Sequence, residues 1–296
     1  MAQVIGRRGS HRLVSSSAPK TRVPTIACRT RPHGFLQALV LCITLQLAAA
    51  AEAADQPPDD YINPDRPGLA DGSNVVGAGR IQIETGIQQE YRSTDGNRSR
   101  TLFVPTLLRM GLDNNFELRI ESNTYTRMTD TDSTQRAEGV APASLGFKYH
   151  FIDSLGWKHP AVGAIVRFFP RSGTGNFKTT RATGDFRIVA DWDFLPQWSL
   201  NPNVGVALYE SEDSRLYAAG LFAATLNYNP SKNVNFFIDT GLQSPETKHG
   251  QAAVLVDFGA AYVIGRDVQL DFSAGSRVAG KTPPRLFLSA GISKRF

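Results

Sequence analysis

Cysteine is almost missing from this 296-residue chain, and the two present, Cys28 and Cys42, both fall within the first 53 residues. Two cysteines cannot form a disulfide framework, and if that first segment is removed, the remainder holds no disulfide and no thiol chemistry. Long apolar runs are equally scarce. A helix needs roughly 20 consecutive apolar residues to cross a bilayer, and only the stretch around Phe35–Leu47 comes near, which excludes a multi-span helical membrane protein. Histidine is sparse after residue 53, limited to the well-separated His150, His159 and His249, and there is no Gly-x-Ser-x-Gly and no His-x-x-x-His. Neither a nucleophile elbow nor a zinc-binding helix is therefore visible, and no cofactor or metal is expected. Gly77-Ala78-Gly79 and Gly173-Thr174-Gly175 lack the strand-before-helix setting of a phosphate loop and read as turn glycines.

The excess of positive charge also vanishes once it is located. Of 32 basic and 27 acidic side chains, seven basic (Arg7, Arg8, Arg12, Lys20, Arg22, Arg29, Arg31) and one acidic (Glu52) lie in residues 1–53, leaving 25 against 26. A nucleic-acid partner has no electrostatic footing in the remainder. The first segment has the order of an export signal: a basic region ending at Arg31-Pro32-His33, an apolar core too short to span a bilayer, and the small-residue site Ala51-Glu52-Ala53. Cleavage is expected after Ala53, with 1–53 a signal peptide, 54–78 an irregular periplasmic or plug-like segment rich in Pro and Asp, and 79–296 the folded body.

From residue 79 the pattern is period-two alternation, the mark of β-strands. Ile81, Ile83 and Ile87 alternate with Gln82, Glu84 and Gln88; Phe116, Leu118 and Ile120 with Glu117, Arg119 and Glu121; Leu145, Phe147, Tyr149 and Phe151 with Ser144, Lys148 and His150; Phe186, Ile188 and Ala190 with Asp185, Arg187 and Asp191. Twelve such segments are expected, near 79–91, 100–110, 116–126, 140–151, 160–170, 184–194, 198–210, 216–228, 233–243, 251–263, 267–277 and 285–296. Their connections alternate too. Short turns such as 111–115, 229–232 and 264–266 interleave with longer polar runs, including Arg127–Gly139 and Arg171–Thr183.

Alternation alone fits a soluble sandwich as well as a membrane barrel, since the two differ in which face meets water. The strand ends separate them. Phe116, Phe151, Phe194, Trp198, Tyr228, Tyr262 and Phe296 cluster at turn ends, and Tyr91, Tyr125, Phe168, Tyr209 and Tyr217 at loop ends, as two aromatic belts do at bilayer interfaces. The strands are also longer than the five or six residues usual in soluble sheets. The fold class expected is an all-β, antiparallel up-and-down transmembrane barrel of about 12 strands. Ionisable groups are costly in hydrocarbon, so the polar stripes should face a wet interior. The candidates to line it are Glu84, Arg109, Glu117, Arg119, Glu121, Lys148, Arg167, Asp185, Arg187, Asp191, Asp239, Asp257, Asp271 and Arg277, with Arg80 and Asp193 beside them. Asp191 and Asp193 share a face as an acid pair would, though a salt-bridged wall explains them better. Eight strands leave a side-chain-filled interior and sixteen an aqueous channel, so twelve leaves both a solute pathway and a closed structural lumen open. The segment 55–74 is as readily placed inside that lumen as outside.

Several short stretches resemble one known group. Asp65-Arg66-Pro67-Gly68, Gly79-Arg80-Ile81-Gln82-Ile83-Glu84-Thr85-Gly86, Arg109-Met110-Gly111-Leu112 leading into Phe116-Glu117-Leu118-Arg119, and the closing Leu286–Phe296 are similar to the outer-membrane transporters of the meta-pathway phenol degradation (MetA-type) family. That resemblance implies an outer-membrane channel for small solutes, phenols or other aromatics among them, and recognition of the terminal Phe296 by the barrel assembly machinery. The partners expected are outer-membrane lipids, that machinery and a small-molecule solute. A structural or adhesive barrel, or a lipid-modifying enzyme with a spatially assembled Ser/His/acid site, remain alternatives.

Overall fold

Residues that alternate apolar and polar can satisfy both a membrane and an aqueous interior only by pairing every strand edge, and the chain does so. The computed structural model describes residues 60–94, 97–131, 135–211, 214–244, 251–280 and 284–296; the expected leader and its cleavage site, and His249, lie outside the described residues. The strands are β1 (Ile81–Thr94), β2 (Asn97–Gly111), β3 (Phe116–Asp130), β4 (Arg136–Gly139), β5 (Ser144–Ile152), β6 (Ala161–Phe169), β7 (Thr183–Leu195), β8 (Trp198–Glu210), β9 (Leu216–Ser231), β10 (Val234–Gln243), β11 (Ala253–Ile264), β12 (Val268–Gly280) and β13 (Leu286–Arg295). All but β4 pair in sequence order, and β1 closes on β13 with Gln82 opposite Arg295 through Tyr91 opposite Leu286. The result is a closed, antiparallel, twelve-stranded barrel of the outer-membrane type.

The thirteenth strand is a departure from the sequence expectation. The polar run 127–139 is not simply a loop: β3 continues to Asp130, and β4 folds back on its outer end with Thr129 opposite Arg136 and Thr126 opposite Gly139. Residues 140–143, expected to begin the next strand, stay out of the ladder, which resumes at Ser144 opposite Glu121. Pro142 supplies a physical reason, because it has no N–H to donate.

Side chains sort by face as the alternation requires. Along β1, Gln82, Glu84, Gln88 and Glu90 are buried while Ile87 is exposed; along β5, Ser144, Lys148 and His150 are buried while Leu145, Phe147 and Tyr149 are exposed. One irregularity resets the parity. Pro105 interrupts the β2–β3 ladder, leaving Thr124 unmatched between Asn123, opposite Pro105, and Tyr125, opposite Val104. As a bulge does, this turns the odd-numbered inward set of Glu117, Arg119 and Asn123 into the even-numbered Thr126. Aromatic rings mark both rims: Trp198 and Tyr228 lie 4.8 Å apart at the turn rim and Tyr209 and Tyr217 5.7 Å apart at the loop rim.

A charge on the outer face tests that it meets lipid. Ile238, midway along β10 and 57% exposed, is expected on Ile238→Arg to destabilise the folded barrel in liposomes by about 2–4 kcal/mol, read by denaturant titration of heat-modifiable gel migration. A neutral outcome would mean that this face meets water.

Candidate functional site: a loop held inside a charged lumen

The segment before β1 enters the barrel and returns to the same rim. Asp60 is held at the turn end by Arg295 and Arg80, and the Ile62 amide donates to the Arg266 carbonyl. The chain then rises to an apex near Gly68–Asp71 and descends through Ser73 and Val76 to Gly79, whose amide donates to the Gly111 carbonyl. Gly111 has no room for a side chain, since a Cβ there would lie 1.7 Å from the Gly77 carbonyl oxygen.

Charge complementarity holds this loop. Arg109 from β2 donates through Nε and Nη2 to Glu117 at 2.9 and 3.0 Å and through Nη1 to Glu84 at 3.0 Å. The same guanidinium reaches the loop carbonyls of Asn63 and Asn74 at 3.0 and 2.8 Å. Asp65 of the loop sits among three cations: Lys148 Nζ is 2.9 Å from both of its oxygens, Arg119 Nη1 bonds its Oδ2, and Arg109 Nη1 lies 3.6 Å away. Asp71 pairs with Arg187 at 2.7 Å and Arg119 at 3.3 Å. On the opposite side the loop acts as donor. Arg66 pairs with Asp271 at 3.0 Å, Leu69 N–H donates to Asp239 at 2.8 Å, and the Ser73 amide and hydroxyl both donate to Asp191. The Val76 amide donates to Glu117 at 2.9 Å.

Burial opposes the charge on Asp65, yet Arg109, Lys148 and Arg119 hold its carboxyl well below the ordinary carboxylate range. For Asp71, burial is likewise outweighed, chiefly by Arg187, and its carboxyl is held at about 2.

Among the remaining sequence candidates, Arg167 pairs with Glu121 at 2.7 Å and Asp185 at 2.8 Å, forming a second ionic group nearer the loop rim. Asp257 is buried opposite Asp239, and Arg277 is half-buried toward the loop rim. One expectation needs correcting. Among the described residues Asp191 and Asp193 are not part of a salt-bridged wall: Asp191 receives Ser73, Asn74 and Asn201, and Asp193 is exposed. His150 bonds the Ser73 carbonyl and Asp153. Among the described residues no three or more His, Cys, Asp and Glu side chains gather as a metal site.

Sequence reasoning missed an apolar sector of the interior. Phe103, Leu107, Phe237, Leu255 and Phe287 are buried among polar neighbours, and a polar/apolar alternation count has no means of assigning an apolar residue to the wet face. Two cavities adjoin on the loop-rim side of the apex and share Leu69 and Arg167. One, of about 130 Å³, sets Phe169, Tyr209, Leu221 and Leu255 against Arg167, Asp185, Arg187 and Asn203. The other, of about 110 Å³, sets Phe103, Leu107 and Phe287 against Gln88 and Asn123.

The family model described as "Putative MetA-pathway of phenol degradation" matches residues 64–296. An outer membrane channel from Pseudomonas putida F1 has the same fold, with a TM-score of 0.61 at 13% identity over 82% of this chain and 100% of that one. The β domain of a Bordetella autotransporter is also similar, with a TM-score of 0.52 at 12% identity over 74% of this chain and 100% of that one. No curated protein matches the sequence.

A spin label at Asn74→Cys, an exposed loop position, reports whether the loop is docked. Asp65→Asn leaves Arg109, Arg119 and Lys148 without their shared partner and is expected to weaken docking by about 3–5 kcal/mol, seen as a mobile spectrum. Because the Asp71 carboxyl is lowered on docking, its contribution is complete above its ordinary value of 3.8 and is lost as pH falls toward about 2. The spectrum should therefore stay immobile from neutral pH to about 4 and loosen below about 3; loosening between pH 5 and 7 would contradict this assignment.

Proposed function

The chain belongs to the phenol-degradation family whose model covers residues 64–296, and from that premise we propose that it is an outer-membrane channel for passive movement of small amphipathic solutes, gated by its 60–79 loop. The observation that carries this reading is the pair of two-sided cavities stacked on a loop held by hydrogen bonds and ion pairs to the barrel wall. A solute entering from the loop rim meets an apolar wall on one side and charged or amide groups on the other. Such a surface suits a molecule with one greasy face and one hydrogen-bonding edge. The larger cavity, about 130 Å³, is close to the roughly 150 Å³ that holds a benzene ring in an engineered protein interior. A single-ring aromatic carrying a hydroxyl or carboxyl group is the solute class this supports.

The channel reading is preferred to an enzyme because most of the charged groups are engaged in ion pairs or by loop N–H donors rather than arranged as a nucleophile with its base. In the same reading the exposed aliphatic and aromatic outer face contacts outer-membrane lipid, and the terminal Phe296 serves recognition by the assembly machinery.

Recordings in planar bilayers test the gate. The intact barrel should show brief, rare conducting steps, and Asp65→Asn should raise the open fraction at least about tenfold, since 1.4 kcal/mol corresponds to a factor of ten. If neither protein conducts at any voltage, and liposomes bearing them are no more permeable to phenol or benzoate than empty ones, the channel reading fails.

A further inference from the structure

The acids facing the loop apex are not all matched by bases. Asp239 on β10 lies directly opposite Asp257 on β11, and their side chains are buried, at 0% and 1% exposure. One oxygen of Asp239 is occupied by the Leu69 amide at 2.8 Å. Beyond this cluster, its other oxygen and both oxygens of Asp257 have no hydrogen-bond partner. Thr225, opposite Asp239 on β9, and Ser273, beside Asp257 on β12, each turn a buried hydroxyl toward these carboxyls and have no partner outside the cluster. Gly275 opposite Asp257 makes this crowding possible, because a Cβ there would come within 2.4 Å of the Asp257 Cβ. Arg66, the base that the loop brings to this side, is already paired with Asp271 and Ser289.

Five such oxygens, from two carboxyls and two hydroxyls, thus share a buried place with, among the described residues, no basic side chain in contact. Buried carboxylates require compensation. A single shared proton would bridge only two of the oxygens and leave one net negative charge. A hard divalent cation neutralises both carboxylates and is suited to an all-oxygen set of carboxylate and hydroxyl donors. We propose that the Asp239–Asp257 pair, with Thr225 and Ser273, binds a calcium ion beneath the apex of the lumenal loop. Because Asp239 also receives the Leu69 amide, an ion on its free oxygen fixes the carboxylate that pins the apex. Calcium then acts as a latch on the gate, a consequence that rests on the channel reading, whereas the binding site does not.

The test uses the mature chain refolded from inclusion bodies, hence free of lipopolysaccharide, stripped with EDTA and titrated with calcium chloride by calorimetry. One saturable calcium site is expected in the parent, weakened at least about tenfold in Asp257→Asn and severalfold in Ser273→Ala. Ser273→Ala, which keeps both carboxylates, decides the matter if Asp257→Asn does not fold, as judged by heat-modifiable migration. Absence of a calcium site in the parent, or affinity unchanged in the folded variants, overturns the proposal, with the pair then sharing a proton. Calorimetry reads the site without reference to conduction, so a barrel that binds calcium but conducts nothing would leave this site standing and remove only the channel.

Discussion

A charge confined in a narrow lumen must find its opposite within a few ångströms, and the inner wall of this barrel does not balance itself sector by sector. On β2, β3 and β5 the cations Arg109, Arg119 and Lys148 face, among the described residues, only Glu84 and Glu117 as close wall partners. Asp65 from the loop closes that difference. Across the lumen the imbalance has the other sign, and there the loop presents Arg66 and the amides of Leu69 and Ser73 to Asp271, Asp239 and Asp191. A few loop residues thus carry opposite chemistry toward opposite walls. The low dielectric that makes unpaired charge costly is what gives the loop a single seating.

That seating shapes the lumen. The loop takes up the polar interior near the turn rim and leaves the half nearer the loop rim two-sided, with aromatic and aliphatic side chains facing amides and ion pairs. In the channel proposed above, selectivity would depend on matching both sides at once, because a purely apolar molecule would leave the polar lining unsatisfied and a sugar would meet an apolar wall. Strand number contributes as well. Twelve strands enclose more than side chains alone fill and less than an open pore, which makes a short internal loop sufficient to close the lumen.

Much of the barrel is readable in the sequence, for a clear physical reason. A wall with lipid on one side and water on the other forces strict period-two alternation, so the stripes Gln82-Glu84-Gln88 and Ser144-Lys148-His150 declare both strand and face. Legibility fails where that two-solvent rule is relaxed. The outer part of β3 and β4 carries polar residues on both faces, so its pairing leaves no alternation to detect. Pro105 and Thr124 shift the parity by one residue, which a pattern count reads as noise. The inward Phe237 and Phe287 obey packing against glycines rather than polarity; Phe237 lies over Gly259 and Phe287 over Gly275. The loop is the largest gap. Its composition, rich in Asp and Pro, looks like solvated linker, and only the charge distribution on the opposing strands reveals where it belongs.

The loop leaves the wall and rejoins it on one rim, Asp60 beside Arg295 and Gly79 beside Gly111. As the gate proposed above, it would act as a drawbridge with both hinges on the same bank rather than as a thread drawn through an eyelet. Withdrawal requires no chain end to traverse the lumen and no strand to unzip. The obstacle to movement is the sum of the contacts broken at the apex, each of them able to re-form. Such a geometry favours repeated, reversible excursions, and it places the means of adjusting their frequency in a few side chains near the barrel's midline.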